Sequence, residues 1–534
     1  MRKNRLLTSA MAAVLCTAFL LTGCGQKTTA EEAGSAGESQ TTGQNTSESG
    51  EKVLKVAIHW EKPTFDPALW ADGGSIKAGI SMFETLAALD QDRNIVPALA
   101  ESWDVSDDKK TYTFHLRKGV QFHAGYGEFT SEDVAYTLER LSDPNVGATD
   151  TKSKCKVDNI ESMDTSDPYT FVLNLKEPDN EVLMDFASWY TNIISKKAYE
   201  ELTPSGFGLK PVGTGPFEYE SGKPAESYVV KRFDDYWGDK AILDKVQITM
   251  LADEANRINA YNAGEVDIMS INDSNTTLKF RDAEGCEVKT VSGSGCYYLG
   301  MNTQKEPFNN PKVREAVKYA INYDEMLNDY WSGTILPPTG YVQSYCIYAA
   351  TPEESGYTYE YNPEKAKQLL AEAGYPDGFS TSVSSPNDSL SKGPLLVIQQ
   401  YMAEVGIDMK INLSEFATYL DEVRNGKDEM WFLVNGDGYR GDQWLTAFTS
   451  EKIPGSNWCM YQNEEYDDLV AKGFAATEKA EKDKYFLEAQ KILVRDIPSV
   501  PLAESTGDFV VRDNVKNFTL STELLFRFKD MDLE

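Results

Sequence analysis

Strand-patterned and helix-patterned runs alternate along most of this sequence, and that alternation restricts the chain to a mixed α/β fold. VLKVAI at 53–58 is a short, largely apolar run of the kind a covered strand needs, and TYTFHL at 111–116 alternates with period two. The stretch from Ser131 to Leu141 has helical spacing behind a serine, with Asp133 two residues on. NPEKAKQLLAEAG at 362–374 carries both of its limits: Asn362 as cap, Pro363 in the first turn and Gly374 at the end. No internal repeat interrupts the pattern.

The N-terminal residues obey a different logic. Arg2, Lys3 and Arg5 precede an apolar stretch from Ala10 to Leu21, and small residues then lead into Cys24, which is the layout of an export signal. A membrane-spanning helix needs about 20 apolar residues, and this run is shorter and carries Thr17. Leu21, Thr22, Gly23 and Cys24 resemble a lipobox, in which cleavage before an acylated cysteine leaves the chain held to a membrane by more than one lipid chain. From Gly25 to about Glu51 there is no aromatic or branched aliphatic residue, so this segment has nothing with which to build a core. The expected division is a signal peptide at 1–23, a lipidated tether at 24–50 and a folded body beyond, large enough for two lobes.

Acidic residues outnumber basic ones 84 to 52, giving a formal net charge of −32 that argues against nucleic acid as a partner. Of the seven cysteines, Cys16 leaves with the signal and Cys24 is the lipid site. Cys155, Cys286, Cys296, Cys346 and Cys459 remain, an odd number in which Cys286 and Cys296, flanking a Gly-rich turn, form the nearest pair. No CxxC occurs, so neither a zinc nor a redox site is expected. His59, His115 and His123 are the three histidines; none has HExxH spacing, and His115 in a strand and His123 beside a glycine turn read as structural. No GxSxG elbow is present. GDGYRG at 436–441 fits GxGxxG behind an apolar run, yet Asp442, Gln443 and Trp444 follow where a dinucleotide fold packs small residues. No catalytic, cofactor or metal site is therefore expected, and binding without chemistry is the function class left.

Five blocks in fixed order carry a resemblance to a known family. PALAESWDVSDDKKTYTFHLRKGVQFHAG (97–125) with FTSEDVAYTLER (129–140) is the strongest. PVGTGPF (211–217), AGEVDI (263–268), YLGMNTQKEPFNNPKVREAVKYAINYDEML (298–327) and YNPEKAKQLLAEAGYPDGF (361–379) follow it. Read by itself, PVGTGPF is a tight structural loop and not a phosphate cradle, since no Lys-Ser/Thr follows. Together the blocks resemble the family 5 extracellular solute-binding proteins, the oligopeptide-, dipeptide- and nickel-binding lipoproteins of ABC importers. The resemblance implies a two-lobed periplasmic-binding-protein fold whose lobes are joined by a hinge of two crossing segments, near Gly300 and near residues 503–510. The first lobe is expected over 51–300 with an inserted subdomain at about 86–210, the second over 301–505, and a return to the first at 506–534. The implied partners are a peptide or other small solute and the permease subunits, with a monomer tethered at the outer face of the cell membrane.

Site residues follow from the same resemblance. Peptide-binding members carry a loop resembling Trp-x-x-Asp-x-x-Asp-Pro whose first aspartate pairs with the ligand's ammonium. Aligning on Gly441 and Asp442 puts Tyr439 in that aspartate's place and Gln443 in the proline's, so Asp437 two residues earlier is the candidate substitute. Arg440 is either a partner for a carboxylate or phosphate of the solute or a solvated surface arginine. INLSEFATYL (411–420) places Phe416 where the family lines a side-chain pocket, against the alternative of a core residue on the following helix. Trp60, beyond the first strand, is a further cleft candidate, and Trp444 either lines the cleft or packs beneath the loop. Peptide is the leading solute; an oligosaccharide, opine or metal chelate is the alternative inside the family, and a chemoreceptor-linked sensor or an exported hydrolase lies outside it.

Overall fold

The computed structural model describes residues 50–59, 64–70, 79–90, 94–224, 226–271, 273–435, 440–520 and 526–534. The expected signal peptide and all of the expected tether except Gly50 lie outside them. In chain order the first strands are β1 (Val53–Ile58), β2 (Ala100–Val105), β3 (Thr111–Leu116), β4 (Ile160–Asp167) and β5 (Thr170–Leu175). Next come β6 (Phe217–Gly222), β7 (Ser227–Arg232), β8 (Lys245–Met250), β9 (Ile268–Ile271) and β10 (Cys286–Met301). The last are β11 (Phe379–Pro386), β12 (Ile407–Ser414), β13 (Met430–Asn435) and β14 (Ser499–Arg512).

Ten of these strands form one mixed sheet in the order β6-β7-β8-β1-β9-β14-β10-β13-β11-β12. A second sheet, β2-β3-β5-β4, is built from the strongest sequence block and the residues after it. Its apolar side chains, Phe114 and Phe171 among them, share one continuous core with Leu54 and Val56 of β1 and with Phe526 and Phe528 from the C-terminal end of the chain. The second lobe buries residues on both faces of its sheet, and period-two alternation decides which face each takes. Tyr297, Leu299, Met301, Met430 and Phe432 fill one core, while Cys296, Tyr298, Trp431 and Leu433 fill the other.

The family blocks fold as their local chemistry dictates. Helix α1 (Ser131–Glu139) starts one residue after Thr130, which forms a capping box with Asp133, so the cap precedes the expected serine by one position. At its far end the buried Arg140 holds Asp66 with two hydrogen bonds of 2.9 and 2.6 Å. The helix Pro363–Glu372 takes its cap from Asn362, which accepts the Lys365 N–H at 3.0 Å, and Gly374 follows with φ 96°. In PVGTGPF, Gly213 and Gly215 lie so close to the Met82 and Ser81 carbonyls that an added Cβ comes within 2.1 and 2.5 Å of them. The same loop holds His123: Nδ1 accepts the Gly213 N–H at 3.3 Å and Nε2 donates to the Gly215 carbonyl at 2.9 Å. This histidine is structural and neutral.

Strands β10 and β14 run through both lobes side by side. Their register jumps from Ser292↔Thr506 to Cys296↔Glu504, so β10 spends three residues where β14 spends one. The Gly-rich segment between Cys286 and Cys296 is therefore a bulge inside a single strand and not a turn. At about 3.3 Å per residue, the two cysteines lie far beyond the ~7 Å Cα separation that a disulfide tolerates. All five described cysteines are free thiols.

Candidate ligand-binding cleft

Strand direction decides where a ligand can sit. β9 runs from Ile268 to Ile271 against Val511 to Asp508, so it points at the middle of β14; β1 and β8 are parallel to it. From the opposite side, β13 runs from Met430 to Asn435 against Met301 to Cys296, and β11 and β12 are parallel to it. The carboxyl ends of both parallel sets thus converge on the break in β10 and β14, the edge where open α/β sheets bind ligands.

Four helices start at this edge: α2 (Glu254–Asn262), α3 (Ser274–Arg281), α4 (Ser389–Glu404) and α5 (Phe416–Arg424). Each has an acidic cap. Asp253 accepts from the Asn256 N–H, Asp273 from Thr276, Asp388 from Ser391 and Glu415 from Ala417, at 2.8–3.0 Å. Between the lobes lies a cavity of about 590 Å³, with Glu254, Asp273 and Ser274 on the first lobe facing Tyr297, Tyr330 and Trp331 on the second. The three rings pack edge to face or tilted, with centroids of Tyr297 and Tyr330 at 5.0 and 5.3 Å from that of Trp331. Beside them the hydroxyl oxygens of Thr334 and Ser274 stand 2.7 Å apart and link the lobes. Carboxylates across from aromatic faces form a surface that accepts a cationic group together with apolar side chains.

A second link between the lobes is ionic. Arg440, after β13, donates through Nη1 to Asp185 at 2.7 Å, through Nη2 to Glu181 at 2.6 Å and through Nε to Asp442 at 3.0 Å. Lys482 pairs with Glu181, and Lys156 bridges Asp179 and Asp185 at 2.7 and 3.1 Å. Asn180 Nδ2 adds a hydrogen bond to the Ala475 carbonyl at 3.2 Å. Burial opposes the charge on Arg440, but Asp442 and Asp185 beside it hold the guanidinium protonated far above its ordinary range. Burial pushes the Asp185 carboxyl up, with Lys156 and Arg440 pulling the other way.

These contacts sort the residues picked from sequence. Arg440 is buried and not a solvated arginine: its guanidinium donates to three carboxylates, two of them on the opposite lobe. Asp442 is buried in the same cluster and starts a helix of five residues, Asp442–Thr446, too short for a dinucleotide fold. Trp444 is buried, its ring 4.7 Å from Tyr298 and 5.5 Å from Phe448. Phe416 is 51% exposed at the first position of α5 and stacks on Tyr419 at 6.4 Å, so it is not a core residue. Trp60, Asp437, Tyr439 and Cys24 lie outside the described residues. Sequence reasoning missed Glu181, Asp185 and Lys482, which meet their partners across 255 to 301 positions. It also missed Glu254, Tyr330 and Trp331.

Comparison with known proteins agrees with this geometry. The model for "Bacterial extracellular solute-binding proteins, family 5 Middle" matches residues 94–455. The glutathione-binding protein GsiB of Escherichia coli (strain K12) is 32% identical over 495 residues, covering 90% of this chain and 95% of that protein. The ABC transporter-associated periplasmic binding protein DppA from Helicobacter pylori, solved with the peptide STSA, is 31% identical. It superposes with a TM-score of 0.70 over 91% of this chain and 99% of its own. AgaA from A. tumefacien R10, solved with agropinic acid, is 26% identical with a TM-score of 0.67, over 90% and 99% of the two chains. Two α/β lobes, a cleft at converging strand ends and a family match over most of the body lead to one statement: the chain belongs to family 5 of the bacterial extracellular solute-binding proteins, the binding components of ABC importers.

Proposed function

We propose that this protein captures a short peptide between its lobes, outside the cytoplasm, and presents the closed complex to an ABC permease without altering the peptide. The observation that carries the reading is the interlobe cavity of about 590 Å³, inside the roughly 300–1,000 Å³ range of small-ligand sites, with carboxylates facing aromatic rings. The names of GsiB and of the DppA complex, a glutathione binder and a tetrapeptide complex, point the same way. The hinge is assigned to Ser292–Cys296 and Glu504–Thr506. Gly300 stands further on, inside the second lobe, where it packs against Trp431. The ionic cluster around Arg440 and the Thr334–Ser274 contact both cross between the lobes, so the conformation is read as closed. Residues 24–50 serve as a tether from a lipidated Cys24, and the protein acts as a monomer; Cys24→Ser releases it from the membrane fraction.

Calorimetric titration with glutathione and with the tetrapeptide Ser-Thr-Ser-Ala, each free and N-acetylated, tests the ligand class. The expected result is one-to-one binding of a free peptide, weakened by acetylation and by Asp437→Asn. A second reading, an opine-like solute, draws on the AgaA complex and on Tyr439 standing where peptide binders keep an aspartate. Binding of agropinic acid with no response to either peptide would establish that reading instead.

A further inference from the structure

The two walls of the interlobe cavity differ in kind, and the difference constrains which part of a peptide fits between them. Among the described residues that border it, Glu254 and Asp273 carry the only formal charges at pH 7, and no Lys, Arg or His stands with them. Both carboxylates sit at helix starts, which accounts for only part of each. Asp273 is exposed and spends Oδ2 on the Thr276 N–H at 2.9 Å, while Oδ1 accepts no hydrogen bond from a described residue. Glu254 is half-buried, accepts the Asp273 N–H at 3.2 Å and meets Arg257 at 3.4 Å. Arg257 is buried and gives closer hydrogen bonds to the carbonyls of Leu251, Ala252 and Ser270. One cation thus stands against two carboxylates, and this wall keeps a net negative charge.

The facing wall, on the second lobe, is apolar. Leu390 is 56% exposed and Tyr330 39%, and Pro394 continues the surface they form. Tyr297 and Trp331 also border the cavity but are nearly covered, so Leu390 and Tyr330 are the faces a ligand touches. Exposed apolar side chains scattered singly need no explanation; these two border one cavity, opposite the carboxylates.

We propose that this cavity receives a lysine or arginine side chain of the bound peptide, so that the protein selects basic peptides over neutral and acidic ones. The inference rests on the peptide reading above and adds which side chain is preferred. A long basic side chain is divided as the cavity is: its methylene stem lies along apolar surface and its cationic head reaches polar surroundings. The stem runs over Leu390 and Tyr330, and the head pairs with Asp273 and Glu254. Closing the lobes expels water and strengthens that attraction. An acidic side chain in the same place meets like charge, and a neutral one leaves the carboxylates without a cation. The peptide's own ammonium group is a separate contact, the one tested above through Asp437.

The test is calorimetric titration of the purified protein with the tripeptides Lys-Ala-Ala, Ala-Lys-Ala and Ala-Ala-Lys, each against its norleucine and glutamate counterparts. Norleucine keeps the stem and lacks the ammonium. At one position or more, the lysine peptide is expected to bind at least about tenfold tighter than the norleucine peptide, with the glutamate peptide weakest. Glu254→Gln and Asp273→Asn, the second of which keeps a good helix cap, should each shrink the lysine preference and leave norleucine binding nearly unchanged. Leu390→Asn should weaken lysine and norleucine peptides alike. Thermal melting checks that the variants fold, and the wild-type comparison stands without them. Equal binding of lysine and norleucine peptides at all three positions would overturn the proposal and leave the peptide reading standing. A lysine preference undiminished in both carboxylate variants would overturn it as well. Binding of no peptide in the set would overturn the peptide reading and the proposal with it.

Discussion

Arg440 gives the sharpest contrast between what a residue offers in sequence and what it does in the fold. Next to a glycine loop it reads as a ligand anchor, yet its partners Glu181 and Asp185 come from the other lobe, and nothing near position 440 announces them. Arg440→Met leaves Asp442 without its cation and Glu181 and Asp185 with only Lys482 and Lys156, and breaking a buried pair in this way costs on the order of 3–5 kcal/mol. Because the partners meet only when the lobes are together, the loss falls on the closed form and is expected as a drop in solute affinity of roughly 100-fold or more. Raising salt from 0.1 to 0.5 M should leave wild-type affinity nearly unchanged, since buried pairs are weakly screened; a steep salt dependence would mean the cluster is solvated. His123 makes a separate prediction. Burial lowers its pKa to about 4, with the Gly215 carbonyl partly offsetting that, so the unfolded chain takes up a proton from pH 6.5 downward while the folded protein does not. Stability is therefore lost as pH falls from 6.5 through 4, by about 2 kcal/mol at pH 5. Urea unfolding at pH 7 and 5, with an NMR titration of the imidazole, checks this; a folded midpoint near 6.5 would refute it.

Elements were legible where their signals are local. The Asn362 cap, Pro363 and Gly374 define a helix that forms where the sequence places it, and the alternation of TYTFHL becomes β3. β10 was not legible in the same way. Its central Ser and Gly residues read as a turn, because an isolated stretch of them favours bending, whereas pairing with β14 on one side and β13 on the other keeps it a strand and converts the excess into a bulge. Two glycines of these long strands separate packing from flexibility. A Cβ at Gly300 comes within 1.9 Å of the Trp431 ring, which Trp458 backs at 5.3 Å, so Gly300→Ala should destabilise by roughly 1–3 kcal/mol through overpacking. A Cβ at Gly507 meets nothing nearer than Val291 at 3.5 Å, and Gly507→Ala should melt within about 0.5 kcal/mol of wild type. Comparing denaturation midpoints of the two variants checks the assignment; equal effects would contradict it.

For the molecule as a whole, fold class and family were readable because five motif blocks fix scaffold turns, caps and core strands, all short-range chemistry. The cleft was only partly readable. Phe416 follows the strand that delivers it to the cleft edge, but Glu254, Tyr330 and Trp331 form a wall only once the lobes stand face to face. The central claim is that a peptide is enclosed by the lobes turning about Ser292–Cys296 and Glu504–Thr506 and is released unchanged. Small-angle X-ray scattering of the body from Glu51 onward, recorded while a defined mixture of di- to tetrapeptides is titrated in and followed by mass analysis of what is recovered, tests that most directly. The account predicts a smaller radius of gyration at saturation, with the bound peptide recovered intact. An unchanged radius in the presence of bound peptide, or recovery of cleaved peptide, would contradict it.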